Sequence, residues 1–215
     1  MPVNIETVSP DKPDEQILKR AAGLILQGEV VVCPTDTGYA FSANALDIKA
    51  ITKVFNLKGR SFTNPIHVAV SSITDAEKYA CLNETARRLA EYFLPGALTL
   101  VLPRRQIVPP LLVGERETIG IRVPDNKIIM ELALMCGCPL TTTSANVSGK
   151  PTPYDIGEII HQFGENINNV ALILDQGPLE SPGLSTIIDL TVDPPRILRS
   201  GRISDEEIRG VLKAL

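Results

Sequence analysis

The chain contains 215 residues, of which 44% are apolar and 21% are charged, and its formal net charge is −4. A chain of this length and composition buries roughly 70% of its unfolded surface and needs neither disulfides nor a structural metal to fold. The slightly acidic balance excludes the uniformly basic surface of a protein that coats nucleic acid without regard to sequence. Any anion-binding site must therefore be a local cluster of cations.

The apolar runs and the cysteines indicate the cellular compartment of the protein. The longest aliphatic runs, such as 30–33 and 171–174, have the length of strands and fall short of the ~18 residues that cross a bilayer. Residues 1–6 have neither the basic nor the apolar segment of a signal peptide, so we expect a cytoplasmic protein with no membrane partner. The four cysteines form no Cys-x-x-Cys pair, which gives a zinc site little support. Cys136 and Cys138 could form a redox pair, but two buried thiols at the end of an apolar helix are favoured.

The N-terminal part of the chain predicts a helix followed by two strands. Apolar residues recur at helical spacing over 15–27, and Gly28 then predicts the end of the helix. The apolar run 30–33 predicts a buried strand. A second short strand is predicted at 39–43, after a loop rich in hydroxyl groups.

A second helix is predicted at 47–57, and it places Lys58 and Arg60 at its C-terminal end, where cations suit the negative pole of a helix. Ser204 and Glu207 form a capping box that predicts the start of a C-terminal helix. The same spacing rules predict further helices at 73–79, 83–93, 127–135 and 154–163, and further strands at 66–70, 98–102, 119–123, 139–143, 171–175, 186–190 and 196–198.

This alternation of helices and strands predicts an α/β protein whose strands share one sheet. The sequence has no repeat of 20 to 50 residues, no low-complexity tract and no Gly/Ser linker. We therefore expect one domain over residues 1–215, with its core at about 15–204, and no second C-terminal domain.

Polar residues gather in five clusters that follow or open predicted strands. Because connections at strand ends carry most functional groups, we expect the five clusters to meet at one mouth of the sheet. The clusters are Pro34-Thr35-Asp36-Thr37, Lys58-Gly59-Arg60 with Asn64, Thr118-Ile119-Gly120-Ile121-Arg122, Thr142-Thr143-Ser144-Ala145-Asn146, and Ser185-Thr186 with Arg196, Arg199 and Arg202.

The clusters offer guanidinium, hydroxyl and amide groups, but no histidine and only one carboxylate, Asp36. This composition does not support a serine-histidine-carboxylate hydrolase and favours the binding of phosphate or carboxylate groups. Neither a Walker loop nor a Rossmann fingerprint is present, so a nucleotide would have to bind in another way. Single clusters also have simpler interpretations, since Lys58 and Arg60 fit a solvated helix end and Asp36 fits a turn cap.

The order and spacing of these motifs resemble those of the YrdC-like L-threonylcarbamoyladenylate synthases, part of the YrdC/YciO superfamily. The resemblance extends from about Glu15 to Ser204. It rests on Pro34-Thr35-Asp36-Thr37, Lys58-Gly59-Arg60, Asn64-Pro65, Pro95-Gly96, Ile121-Arg122-Val123-Pro124, Ser144-Ala145-Asn146-Val147-Ser148-Gly149, Ser185-Thr186-Ile187-Ile188-Asp189 and Leu198-Arg199.

The resemblance implies a single α/β domain in which a twisted mixed sheet, flanked by helices, surrounds a deep and positively lined cavity. It implies a nucleotidyltransferase that condenses L-threonine, bicarbonate and ATP into threonylcarbamoyl-AMP and pyrophosphate, with Mg²⁺ accompanying the ATP. The product would serve threonylcarbamoyladenosine modification of tRNA, so other tRNA-modification proteins are implied as partners.

The resemblance also implies roles for individual residues. Lys58 and Arg60 would be catalytic, and no residue would be a metal ligand. L-threonine would bind at Thr37, Arg122, Thr142 and Ser185. ATP would bind at Lys58, Arg60, Asn64, Thr118, Ser144, Asn146, Thr152 and Arg199.

Two departures from the family pattern keep alternatives open. Ala40 follows Tyr39 where glycine is common, and Ala69 stands where many members have histidine, while His67 lies two positions earlier. Gly38-Tyr39-Ala40 is closer to the YciO-like branch, so a paralogue with a different or weak activity is one alternative. A module that binds double-stranded RNA or tRNA in the same basic concavity is the other.

Overall fold

The computed structural model describes residues 3–180 and 183–213. Helices in these residues largely match the predicted ones. They are α1 (Glu15–Leu26), α2 (Ile48–Lys58), α3 (Ile73–Ala76), α4 (Glu84–Phe93), α5 (Lys127–Cys136), α6 (Ile156–Phe163) and α7 (Asp205–Lys213), with short 3₁₀ helices at Pro110–Val113 and Gly164–Asn169.

The strands of the described residues are short, and all lie between or beside these helices. They are β1 (Ile5–Thr7), β2 (Val31–Thr35), β3 (Gly38–Ser42), β4 (Val68–Ala69), β5 (Leu98–Pro103), β6 (Thr118–Arg122), β7 (Leu140–Thr141), β8 (Thr143–Ser144), β9 (Leu172–Asp175), β10 (Thr186–Asp189) and β11 (Arg196–Arg199). The α/β class is thus confirmed, although β1 and both 3₁₀ helices are absent from the sequence predictions.

The strands form two mixed sheets, whereas the alternating helices and strands predicted one. The first sheet has the order β1-β9-β2-β3-β8, and the second has the order β11-β10-β5-β6-β4-β7. Helices pack against both sheets, and one buried apolar cluster contains residues of both, for example Phe41 and Ile121. The two sheets therefore share a core.

The predicted strand 139–143 crosses from one sheet to the other, which explains the difference. Its first part, β7, pairs with β4 in the second sheet, and its second part, β8, pairs with β3 in the first sheet. Between them, Thr142 donates its backbone N–H to the carbonyl of His67 over 2.9 Å. Alternating polarity cannot reveal such a crossing, because both halves are buried strands.

Capping groups set the helix ends close to where the sequence predicts them. Asp47 accepts the N–H of Lys49 over 2.8 Å and starts α2, while Gly59 ends it in the left-handed conformation at φ 59°. Ser204 and Glu207 form the predicted capping box, each accepting the backbone N–H of the other over 3.2 and 2.8 Å. The end of α2 consequently delivers Lys58 and Arg60 at a defined position.

A second apolar cluster lies between α1, α5 and the strands beneath them. It includes the thiols of Cys33, Cys136 and Cys138, which are buried and unpaired by disulfides, as predicted. Among the residues that the structure describes, no helix combines the length and the apolarity needed to cross a membrane.

Candidate active site

The five polar clusters meet at one cavity of about 160 Å³. Each cluster contributes at least one lining residue, so the clusters lie together in the fold, as predicted. The lining consists of Thr35, Thr37, Gly38, Tyr39, Ala40, Arg60, Pro65, Ile66, His67, Thr99, Arg122, Thr142, Thr143, Ser144, Leu184, Ser185 and Arg199.

Arg122 lies at the end of β6 and is the most constrained guanidinium of the cavity. Its Nη1 donates to Thr37 Oγ1 over 2.8 Å, and its Nη2 forms an ion pair with Asp36 and donates to the carbonyl of Gly96 over 3.3 Å. The side chains of Arg122 and Asp36 are 6% and 7% exposed. Arg122 is thus held by the turn between β2 and β3 and by the carbonyl of Gly96, whereas its Nε has no hydrogen-bond partner among the described residues.

Ser185 and Arg199 form a second wall. Arg199 donates through Nε and Nη2 to the carbonyl of Ser185 over 3.0 and 2.8 Å, and Nη2 also donates to Ser185 Oγ over 3.0 Å. The hydroxyls of Ser185 and Thr99 are 3.0 Å apart. Gly201 permits this arrangement, because a Cβ there would stand 2.3 Å from the carbonyl oxygen of Leu184.

Arg60 closes the cavity from the α2 side. Its Nε donates to the carbonyl of Asn64 over 3.2 Å, and its Nη2 donates to the carbonyl of Pro65 over 2.9 Å. These two contacts fold the loop after α2 back onto the guanidinium. Both partners are neutral carbonyls, so the positive charge of Arg60 is not balanced by a carboxylate in the described ion pairs.

Lys58 lies behind the cavity wall, since its side chain is buried and does not line the cavity. Its ammonium donates to the carbonyl of Ser144, to the carbonyl of Asn146 over 2.9 Å and to Asn146 Oδ1 over 3.1 Å. Asn146 in turn donates to the carbonyl of Lys150 over 2.7 Å. Lys58 therefore holds the turn that presents Ser144 to the cavity.

Burial and mutual repulsion shape the electrostatics of the site. Burial lowers the pKa of Arg60, Arg122 and Arg199, but guanidiniums stay protonated at neutral pH because their ordinary value is above 12. Burial and, next, the charge of Arg60 lower the pKa of Lys58 to about 7. The cavity therefore presents a high density of positive charge and hydroxyl groups, which suits a polyanion.

The predicted site residues divide into three groups. Thr37, Arg60, Arg122, Thr142, Ser144, Ser185 and Arg199 line the cavity. Lys58 and Asn146 support it from behind, and Thr152 lies beside the lining residue Gly38 without lining the cavity itself, since Thr152 Cγ2 is 3.2 Å from where a Cβ of Gly38 would stand. Asn64 and Thr118 are not among the lining residues, although Asn64 orients Arg60.

The structure separates Arg196 from the rest of its cluster. Its side chain is 67% exposed and lies 3.8 Å from Asp189. Alternation along β11 explains this, because Arg196 and Arg199 are three positions apart and point to opposite faces.

Sequence reasoning missed two features of the site. His67 lines the cavity, although the clusters were expected to contain no histidine, and Asp36 pairs with Arg122 instead of serving only as a turn cap. The position of His67 one residue before β4, opposite Gly120, is a signal that could have identified it. Within residues 3–180 and 183–213, no group of three or more His, Cys, Asp or Glu side chains could hold a metal ion.

Comparison with known proteins places this geometry in a family. The Sua5/YciO/YrdC family model, described as telomere recombination, matches residues 23–201. A relative from Methanocaldococcus jannaschii is 40% identical over 184 residues, which are 86% of this chain and 85% of that protein. A threonylcarbamoyl-AMP synthase from Pyrococcus abyssi is 37% identical over 94% of this chain.

Solved structures have the same fold. The P. abyssi Sua5 protein in complex with L-threonine is 37% identical and superposes over 97% of this chain with a TM-score of 0.91. Escherichia coli YciO is 29% identical and superposes over 96% of this chain with a TM-score of 0.86. The chain covers 99% of the YciO structure but only 60% of the P. abyssi structure.

Proposed function

Because the chain belongs to the Sua5/YciO/YrdC family, we propose that it is a threonylcarbamoyl-AMP synthase. The observation that carries the proposal is the meeting of Arg60, Arg122 and Arg199 with several hydroxyl groups in one cavity. Such a cavity suits two anionic groups held side by side, namely a nucleotide triphosphate and an amino-acid carboxylate.

In this proposal L-threonine occupies the side of the cavity formed by Arg122. Its carboxylate accepts hydrogen bonds from the guanidinium, and its hydroxyl contacts the hydroxyls of Thr37, Thr142 and Ser185. The L-threonine complex of the P. abyssi relative supports a threonine site in this fold.

ATP occupies the opposite side, between Arg60 and Arg199. Ser144, a cavity-lining residue at the end of β8, and Thr152, in the loop before α6, contact the nucleotide, while Lys58 and Asn146 hold the turn after β8 in place. Asn64 acts by orienting Arg60, and Thr118 lies on the same strand face as Arg122 at the outer end of β6. Mg²⁺ accompanying the ATP would share the negative charge of the triphosphate.

The reaction we propose is nucleotidyl transfer to a carbamate. The amino group of L-threonine and bicarbonate form the carbamate with loss of water, and a carbamate oxygen attacks the α-phosphorus of ATP. The bond from the α-phosphorus to the bridging oxygen breaks, and pyrophosphate leaves with the electron pair. The nucleophile is already anionic, so alignment and charge screening by the arginines supply the catalysis without a general base.

The product is an activated threonylcarbamoyl group, and we propose that other tRNA-modification proteins in the cytoplasm transfer it to tRNA. The chain spans 59% of the length of the P. abyssi synthase.

The decisive experiment measures pyrophosphate release from ATP by the purified chain. Release that requires both L-threonine and bicarbonate, with threonylcarbamoyl-AMP identified by mass spectrometry, is the expected result. Folded protein that releases no pyrophosphate at saturating substrates contradicts the proposal.

The likeness to E. coli YciO favours a second candidate, a paralogue with another acyl acceptor. Replacing L-threonine by L-serine and by other small amines in the same assay separates the two. Faster turnover with another amine would favour the paralogue, and a preference for threonine of at least about tenfold would favour the synthase.

A further inference from the structure

His67 is the one lining residue of the described cavity whose side chain can change its charge near neutral pH. It directly precedes β4, and its backbone carbonyl accepts hydrogen bonds from the backbone N–H of Thr142 over 2.9 Å and from the hydroxyl of Thr142 over 3.2 Å. Its side chain is half-buried, and the imidazole has no hydrogen-bond partner among the described residues. The ring is therefore fixed at its base and free at its polar atoms.

The ring lies on the cavity face of β6 because Gly120 leaves room for it. A Cβ at Gly120 would stand 2.5 Å from His67 Cδ2, which is closer than real Cβ contacts. Gly120 and Arg122 are two positions apart in the same strand, so they share one face. His67 and Arg122 consequently face the same space.

Among the described lining residues, the charged groups that share the cavity with the ring are arginines. Arg60 after the end of α2, Arg122 at the end of β6 and Arg199 in β11 line the cavity, and Arg116 lies two residues before β6. Asp36 is engaged by Arg122 and is not among the groups that act on the ring. Burial and these four arginines lower the pKa of His67 to about 4, so the imidazole is neutral in the free protein at pH 7.

A polyanion bound in the cavity would favour the protonated form of the His67 imidazole. Phosphate groups between Arg60 and Arg199 cancel the repulsion that disfavours a positive ring, and they supply oxygen acceptors for its N–H groups. Neutral imidazole provides one donor, whereas the protonated ring provides two.

We propose that His67 is a further phosphate-binding residue, which takes up a proton from solvent as a pyrophosphate-bearing ligand binds and then donates a hydrogen bond to a phosphate oxygen. The proposal rests on the proposed function only in naming ATP and pyrophosphate as the ligands. The bound pyrophosphate group then interacts with one more cation, protonated His67, than the free cavity contains.

The first test follows the two histidines by NMR, using inorganic pyrophosphate as the probe. The chain contains only His67 and His161, and His161 lies in the last turn of α6, so its signal is an internal control. Saturating pyrophosphate is expected to raise the titration midpoint of the His67 imidazole by at least about one pH unit. An unchanged His67 titration in the saturated protein overturns the proposal, as does a failure of pyrophosphate to bind.

The second test compares variants by the dissociation constant of pyrophosphate at pH 6 and pH 8. His67→Gln is expected to weaken binding by about tenfold at pH 6 and less at pH 8, while the control His161→Gln leaves it unchanged. Gly120→Ala displaces the ring without removing it and is expected to weaken binding similarly. In the double variant Gly120→Ala/His67→Ala the dissociation constant should be little higher than in Gly120→Ala, because both substitutions remove the same contact.

Dissociation constants for His67→Gln within twofold of the native value at pH 6 overturn the proposal. Threonylcarbamoyl-AMP formation is measured separately on the same samples. Full synthase activity with a silent His67 refutes the role of His67 alone, whereas pyrophosphate-linked protonation of His67 without synthase activity refutes the proposed reaction alone.

Discussion

Asp36 and Arg122 lie 86 positions apart in the chain, yet they form the most buried ion pair among the described residues. Asp36 Oδ2 and Arg122 Nε are both buried without a hydrogen-bond partner. Removing two charges from water costs free energy that their attraction only partly returns, so such a pair is weak evidence for stability. Its role is to orient the guanidinium at the cavity wall.

Arg122→Ala is expected to lower kcat/KM for L-threonine by tens to about a hundredfold, because a charged hydrogen bond to the carboxylate is lost. The KM for ATP should change much less. Steady-state kinetics with each substrate varied in turn checks this. Equal small effects on both substrates would contradict the assignment of Arg122 to threonine.

Arg60→Ala is expected to show the opposite pattern, with a rise in KM for ATP of tens of fold and little change for L-threonine. Its guanidinium is held by two loop carbonyls and faces no carboxylate, so its charge is available to phosphate. Arg60→Lys keeps the charge but loses the planar fork and should recover only part of the loss. Full recovery by lysine would show that the fork geometry is unimportant.

Asp36→Asn is expected to destabilise the protein by about 3 kcal/mol, because it leaves the buried charge of Arg122 unpaired. Asp125→Asn is the matched control, since Asp125 is exposed and makes no side-chain contact in the described hydrogen bonds. Urea denaturation of both variants measures the difference in free energy of unfolding. A loss for Asp36→Asn no larger than for the control would mean that the pair does not persist in solution.

Lys58→Met is expected to loosen the turn at 144–150, because three acceptor oxygens lose a hydrogen bond from a charged donor at a cost of about 1 to 3 kcal/mol each. Lys49→Met on the exposed side of the same helix is the control. Hydrogen exchange should show faster exchange at 144–150 in the first variant only. If exchange stays slow and only the KM for ATP rises, Lys58 contacts phosphate directly.

Gly201→Ala is expected to destabilise the protein by about 1 to 3 kcal/mol and to impair the use of both substrates, because a Cβ would press on the backbone at 184–186 beside Ser185. Gly210→Ala in α7 meets no atom within 4 Å and should stabilise the protein by about 0.5 to 1 kcal/mol. Thermal unfolding of the two variants checks the opposite signs. Two shifts of the same sign would refute the close approach at Gly201.

The pH dependence of stability should report on His67. Its pKa is about 4 in the folded protein and about 6.5 in the unfolded chain, so the unfolded chain binds more protons between these values. The contribution of His67 to the free energy of unfolding is therefore fully present above about pH 6.5 and is lost as the pH falls toward 4. The loss should be about 1 to 2 kcal/mol, because solvent at the partly exposed ring weakens the effect. In His67→Gln this component should vanish, as measured by the free energy of unfolding from pH 4 to pH 8.

Local patterns predict the elements well where the structure is set by neighbours in sequence. The helix predicted at 15–27 is α1 (Glu15–Leu26), and the Ser204 and Glu207 box starts α7 as predicted. Predictions were less accurate for elements whose bounds depend on partners distant in the chain. The strand predicted at 66–70 contains ladder pairs only at Val68–Ala69, because β6 ends at Arg122 opposite Ala69 and β7 has only two residues.

The amino-acid sequence by itself determined the α/β class, the five polar clusters and the choice of arginine and hydroxyl chemistry, since these follow from composition, periodicity and caps within short windows. The tertiary structure alone decided that the strands form two sheets, that Asp36 pairs with Arg122, that Lys58 faces a turn instead of the cavity, and that His67 enters it. Each of these depends on burial and on contacts between residues far apart in the chain, which no local pattern contains.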